Sequence, residues 1–171
     1  MADMFGGAFY SVEASMSKIL VAFFSKTGTT GEYAQVLARA FIEEGHEAEA
    51  QPFERVGSLD GYDAVVLGAP INGMQPVPEL GAFIATNTGA LARRPCALFT
   101  VSYMYGKARK AWDAAMQKST ATAAAAAGAR THRIFTGRLQ TTSPFLMRLI
   151  FGIPKDLPLD RRDPVGMTAW A

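Results

Sequence analysis

The stretch Lys18-Ile19-Leu20-Val21-Ala22-Phe23-Phe24-Ser25, continued by Lys26-Thr27-Gly28-Thr29-Thr30-Gly31, decides the fold. Its first part is a short continuous apolar run, the pattern of a strand buried on both faces. Residues 29–44 then show helical spacing. Tyr33, Leu37, Ala40 and Phe41 recur on one side, and Glu32, Gln35, Arg39 and Glu43 take the others. Gly45 suits the position just past a helix C-terminus. A buried strand feeding directly into a helix is the opening of a parallel α/β unit.

The joint between the two carries chemistry. N–H groups at a helix N-terminus lack intrahelical partners, and the helix dipole favours negative charge there. Gly28 permits the unusual φ that an anion-wrapping loop requires. Four hydroxyls, on Ser25, Thr27, Thr29 and Thr30, suit the several oxygens of a phosphate monoester. Lys26 lies inside the loop, either touching the phosphate or pointing to solvent. Other phosphate loops fit worse. The Walker pattern needs a Lys-Ser/Thr pair after its last glycine, and Glu32-Tyr33 follow Gly31 instead. The dinucleotide fingerprint lacks its first glycine.

Working outward, strands and helices alternate. Residues 47–51 read as an edge-like strand ending at Pro52, and residues 63–70 as a second buried strand. A helix is expected near 78–85 and a further buried strand over 96–101. Residues 107–127 are Ala-rich and form the strongest helix by propensity, ended by Gly128. Residues 133–139 are a last apolar-leaning strand. This alternation predicts a doubly wound α/β domain, a five-stranded parallel sheet in a three-layer arrangement with helices on both faces. Residues 1–17 read as an N-terminal extension, with Met16 as an alternative start, and residues 18–171 as the single domain.

After residue 139 the pattern changes. Ser143-Pro144 reads as an N-cap with Pro at the first helical position, followed by residues 145–151, apolar nearly all round, and Gly152. Pro154, Pro158 and Pro164 break up a charged tail, so the final covering helix is short or missing.

Composition narrows the function classes. The chain has 171 residues, 49% hydrophobic and 19% charged, which excludes disorder throughout. One cysteine, Cys96, excludes an intrachain disulfide and any multi-Cys metal site, and is read as a small core residue. Two histidines, His46 and His132, are read as surface residues, and no metal is expected. Trp112 and Met116 stand four apart on the long helix and read as core. No run of about 18 apolar residues occurs, and residues 1–17 lack the basic start of a signal peptide. A cytoplasmic home is expected, without a nucleic-acid partner. The net charge of +2 is uneven: −5 over residues 1–60, +3 over 61–129 and +4 over 130–171. The basic half suits an anionic membrane or an acidic ligand, or is simply solvated.

The segment from Ser25 to Thr30 resembles the S/T-x-T-G-x-T phosphate loop of the flavodoxin family, and the resemblance extends over about residues 18–140. It implies FMN as cofactor, strand order 2-1-3-4-5, and a flavin ring held between the loops after the third and fourth strands. Those loops are Pro70-Ile71-Asn72-Gly73-Met74 and Ser102-Tyr103-Met104-Tyr105-Gly106. The Asn72-Gly73 turn and the Tyr105-Gly106 turn would present backbone groups to the ring edges, with Tyr103 and Tyr105 as stacking candidates.

Flavodoxin electron carriers are usually strongly acidic, and this chain is slightly basic. Residues 135–139 followed by 145–152 resemble a branch of the family, the menaquinone-dependent protoporphyrinogen oxidases of heme biosynthesis. That resemblance implies a quinone-linked oxidoreductase in peripheral contact with the membrane through 145–153. Seven of those nine residues are apolar, and Arg133, Arg138, Arg148 and Lys155 would each add about 1 kcal/mol of attraction to anionic lipid if near the surface. The alternatives are a soluble flavodoxin carrier with a redox-protein partner, and a non-enzymatic module of the same fold. In these the apolar helix covers its own sheet or forms a homodimer contact.

Overall fold

The computed structural model describes residues 15–107, 109–139 and 159–171. The elements run β1 (Lys18–Phe23), α1 (Thr29–Glu43), β2 (Glu47–Pro52), a 3-10 turn (Phe53–Arg55), β3 (Ala64–Asn72), β4 (Gln75–Pro76) and α2 (Pro78–Leu91). They continue with β5 (Cys96–Ser102), α3 (Lys110–Ala127), β6 (Thr131–Thr136), β7 (Arg138–Leu139), β8 (Leu159–Asp160) and a last short helix, Pro164–Thr168. The main sheet is parallel in the order β2-β1-β3-β5-β6. This is the expected order, since β4 only adds an antiparallel pair to the end of β3.

Both faces of the sheet are covered, and the period-two alternation of side chains explains why the strands read as continuous apolar runs. Leu20, Leu67 and Leu98 point to one face, against Leu80 and Ile84 of α2 and Ala124 of α3. Ile19, Val21, Val66 and Phe99 point to the other, against Tyr33 and Leu37 of α1. Gly68 has a packing reason: a Cβ there would lie 2.3 Å from Cζ of Phe99, so only glycine lets that ring lie across β3. A buried hydroxyl pair, Thr100 and Thr120 at 3.1 Å, ties β5 to α3. Cys96 is buried, and burial pushes its thiol up to about 11, which fits the core role.

Several expectations need correction. The helix expected over 78–85 runs on to Leu91, because Leu80, Phe83, Ile84 and Leu91 all reach the core. The Ala-rich helix begins at Lys110, three residues late. Met116 is core, but Trp112 is only half-buried, with the Arg109 guanidinium 5.7 Å above its ring. The last parallel strand starts earlier, at Thr131, and breaks at Gly137. The helix expected at 145–151 lies outside the described residues.

The tail is not merely a broken, charged stretch. Residues 159–171 fold back on the α1 face. Asp163 caps the short helix by accepting from the Gly166 N–H at 2.8 Å, with Pro164 at its first position. Met167 is fully buried, and Trp170 makes edge contacts with Phe99 and Phe135. Among the described residues, this short helix and Trp170 cover the sheet beside α1.

Candidate functional site

In an open parallel sheet, ligands gather outside the carboxyl ends of the strands, where the order switches direction. Here that point lies between β1 and β3, both of which leave the sheet at the same edge. The Phe24 N–H donates to the Gly68 carbonyl at 2.9 Å, so the loop after β1 runs beside the end of β3. The loop after β5 follows next along the edge, since Pro70 pairs with Val101.

The loop after β1 forms a cradle open at the helix N-terminus. Gly28 is the N-cap, with φ +88° in the left-handed region, and no side chain caps the helix. The first intrahelical bond runs from the Glu32 N–H to the Gly28 carbonyl at 2.9 Å. Lys26, Thr27 and Gly28 are exposed, whereas Thr29 and Thr30 are buried. Two hydroxyls, Ser25 Oγ and Thr29 Oγ1, are buried with no hydrogen-bond partner. A buried unpartnered hydroxyl costs about 1–3 kcal/mol, and two of them at an uncapped helix end mark a place built for an acceptor.

The carboxylate of Glu32, in the first turn of α1, would work against a bound anion. Arg138 meets it at 2.9 Å and Arg162 also bonds to it. Arg162 in turn bonds to Asp160, whose carboxyl is held down to about 2 by the Arg162 guanidinium. Charges of alternating sign therefore neutralise the acid beside the cradle.

Two loops flank the switch point. After β3, the chain turns back as a two-residue hairpin, with Asn72 paired to Gln75. The turn residues are Gly73 and Met74, at φ +59° and +67°. This corrects the expected Asn72-Gly73 turn by one residue: Asn72 is the last residue of β3. Two positive φ values define the hairpin turn that matches strand twist. Met74 accepts that conformation because Ser119 Oγ on α3 donates to its carbonyl at 2.8 Å and the Val77 N–H closes on the Pro70 carbonyl at 3.1 Å. Ile71 is half-buried.

After β5, Ser102 is buried and a turn closes from the Lys107 N–H to the Met104 carbonyl at 3.0 Å. Tyr105 and Gly106 are its central residues, as expected, with Gly106 at φ +74°. The Gly106 N–H donates to Asp113 at 3.1 Å, and the Tyr105 hydroxyl accepts from Gln117 Nε2 at 2.8 Å. The Tyr103 hydroxyl is buried without a partner, and the Lys107 and Arg161 cations stand 5.8 and 6.0 Å from its ring.

The residues expected to hold FMN therefore lie at one sheet edge, on three neighbouring loops and the adjoining ends of α1, β3 and β5. The sequence reading missed Arg161. Its guanidinium donates to the carbonyls of Tyr103 and Tyr105 at 2.9 and 3.0 Å. The only local signal was the charged cluster of residues 160–163. Two surface grooves border the ring-side loops: about 870 Å³ between α2 and α3, reaching Gly73 and Met74, and about 750 Å³ bordered by Tyr105, Gln117 and His132. Neither is lined by residues 25–31, as suits a cradle made of backbone on an open edge.

The flavodoxin domain family matches residues 20–157 of the chain. No curated protein sequence matches. Among solved structures, the chain is similar to rubredoxin oxygen:oxidoreductase from the anaerobe Desulfovibrio gigas, at 15% identity and TM-score 0.54, covering 78% of this chain and 33% of that one. It is also similar to the two-electron reduced flavodoxin of Megasphaera elsdenii, at 19% identity and TM-score 0.51, covering 69% and 85%. Flavodoxin 2 of Bacillus cereus shows 22% identity and TM-score 0.50, covering 69% and 84%. The chain thus spans about a third of the Desulfovibrio protein and most of the two flavodoxins. At these identities the likeness is one of fold. A flavodoxin domain implies FMN as the cofactor, and the residues present fit its phosphate: the two orphaned hydroxyls and the uncapped N–H groups supply donors that nothing else uses.

Proposed function

The chain belongs to the flavodoxin domain family, and on that premise we propose that it is an FMN-dependent electron-transfer oxidoreductase. Residues 25–30 would hold the phosphate, and the 70–74 and 102–106 segments would hold the ring. The carrying observation is the pair of buried, unpartnered hydroxyls, Ser25 Oγ and Thr29 Oγ1, at the uncapped start of α1. When bound, FMN supplies the transfer of one or two electrons. The chain's own part is to bind and orient. Gly28 and the first N–H groups of α1 take the phosphate, and the Gly73-Met74 and Tyr105-Gly106 turns offer backbone groups to the ring edges. Lys26, Thr27 and Thr30 complete the loop, Lys26 and Thr27 on its exposed side. Tyr103 and Tyr105 are the stacking candidates.

For the acceptor, a quinone is the favoured reading, as in the protoporphyrinogen oxidases that residues 135–139 and 145–152 resemble. Its support is the apolar run 145–153 with arginines and a lysine around it, a sequence observation outside the described residues. Among the described residues no helix is long and apolar enough to cross a membrane, so contact with a bilayer would be peripheral.

The visible absorption spectrum of the purified protein, after adding FMN and desalting, tests the cofactor. Retained flavin bands are expected, and a protein that retains none overturns the proposal. Flotation of the FMN-loaded protein with anionic vesicles tests the quinone reading. Binding lost on Leu149→Asp with Phe151→Asp supports it, whereas no binding favours a soluble carrier with a redox-protein partner.

A further inference from the structure

The C-terminal segment does more than cover the sheet. It fastens at three places. The Asp163 N–H donates to the Tyr33 hydroxyl at 2.6 Å, and that hydroxyl donates to the Thr136 carbonyl at 2.7 Å. Thr136 Oγ1 donates to the Arg161 carbonyl, and the Arg161 N–H donates to the Gly137 carbonyl at 3.3 Å. With its backbone held between α1 and the end of β6, Arg161 reaches the loop after β5 and bonds to the carbonyls of Tyr103 and Tyr105.

These carbonyls belong to a loop with few ties of its own. Among the described residues its other hydrogen bonds are the turn bond, the Gly106 N–H to Asp113 and Gln117 Nε2 to the Tyr105 hydroxyl, and none of them holds the Tyr103 or Tyr105 carbonyl. A planar guanidinium presents several donors in a fixed fork, so one side chain can hold two carbonyls at a set separation. The two carbonyls flank Met104 and bracket the backbone between both stacking candidates. Freeing them would let the loop sample other conformations, and binding to a loop that is competent only part of the time weakens in proportion.

We propose that Arg161 is a positioning residue for the ring-side loop: it holds residues 103–105 in the conformation that receives the flavin ring. The inference rests on the FMN reading above and adds to it a residue of the C-terminal segment that touches neither the phosphate loop nor the ring in its assigned role. Lysine, a single point donor, bridges two carbonyls poorly and restores only part of the effect.

The experiment compares full-length wild type, Arg161→Gln and Arg161→Lys. Amide hydrogen exchange of the FMN-free proteins reads the loop, FMN titration by flavin fluorescence reads the affinity, and thermal melting reads the fold. Arg161→Gln should speed exchange at residues 103–107 and raise the FMN Kd about tenfold or more, with Arg161→Lys in between. The melting temperature should shift much less than the affinity. Arg161→Gln that binds FMN as tightly as wild type overturns the proposal. So does a loss of affinity that follows a general drop in melting temperature with no local change in exchange. Wild-type protein that takes up no FMN overturns the cofactor reading, and with it the ring-side role. Wild-type protein that binds FMN beside an equally competent Arg161→Gln overturns only the role of Arg161.

Discussion

The phosphate loop draws its residues from one short run, 25–31, whereas the loop after β5 is held by a guanidinium 58 and 56 positions further along the chain. The first follows from local rules: a strand must end, a helix must begin, and the uncapped N–H groups between them collect hydroxyls and a left-handed glycine. The second exists only once the C-terminus has returned to the α1 face. A site assembled from both kinds of part should respond differently to damage in each. Changes to the phosphate-loop hydroxyls should act on the ligand and leave the fold alone. Changes to the contacts that fasten the returning segment to α1 and β6 should act on the fold first, whereas Arg161 acts on the ring-side loop.

The largest effect is expected where the comparison is cleanest. Ser25→Ala combined with Thr29→Val removes two buried donors without changing the loop's shape. FMN affinity should fall roughly 100-fold, since hydrogen bonds to charged groups are each worth about 1.5–3 kcal/mol. The FMN-free protein should melt at the same temperature or higher, because both hydroxyls are unpartnered there. Titration and melting curves measure the two quantities; an unchanged affinity with a lower melting point would assign the hydroxyls to the fold.

Tyr33→Phe tests the other region. Tyr33 is buried and links Thr136 to Asp163, so its loss leaves two backbone groups unpaired. About 2 kcal/mol of stability should go, or a melting temperature lower by roughly 4–8 °C. The Trp170 emission should shift toward that of exposed indole, as the helix carrying Met167 loosens. Unchanged stability would break the claim that the C-terminal segment is part of the fold.

Gly28→Ala sharpens the first half of the comparison. At φ +88° an alanine costs about 1 kcal/mol, although its Cβ meets nothing within 4 Å. Gly28→Asn should cost less, because asparagine tolerates the left-handed region. Equal melting temperatures for both variants and wild type would show that the backbone had moved elsewhere.

The smallest effect concerns pH. The Arg162 guanidinium holds Asp160 down to about 2 from an ordinary 3.8. The folded value is the lower one, so this pair helps the closed segment above about pH 4. That help is lost as pH falls toward 2. Amide exchange at residues 159–163 should therefore rise across that window, and should stay flat there in Asp160→Asn. The pair is exposed, so overall stability should barely register it.

Much of the fold was legible because its signals are local. Period-two burial on both faces made β1, β3 and β5 read as apolar runs, and Gly45 and Gly128 stop their helices in the left-handed conformation. The turn after β3 lies one residue later than the Asn-Gly pair suggests. Asn-Gly is the familiar turn pair, but β3 extends through Asn72 because the Gln75–Pro76 strand pairs with it. Spacing alone makes Trp112 a core residue, yet it is only half-buried, with the Arg109 guanidinium over its ring.

By itself, then, the sequence determined the alternation of parallel strands and helices and the anion cradle at residues 25–31. Both depend on residues a few positions apart, whose pattern is set by helix and strand periods. Only the tertiary structure decided that residues 159–171 close the α1 face and that Arg161 meets the loop after β5. A chain-terminal run of prolines and charges has no period to read. Its partners, Tyr33, Glu32 and the Tyr103 and Tyr105 carbonyls, become neighbours only when the sheet brings the ends of β1, β5 and β6 to one edge.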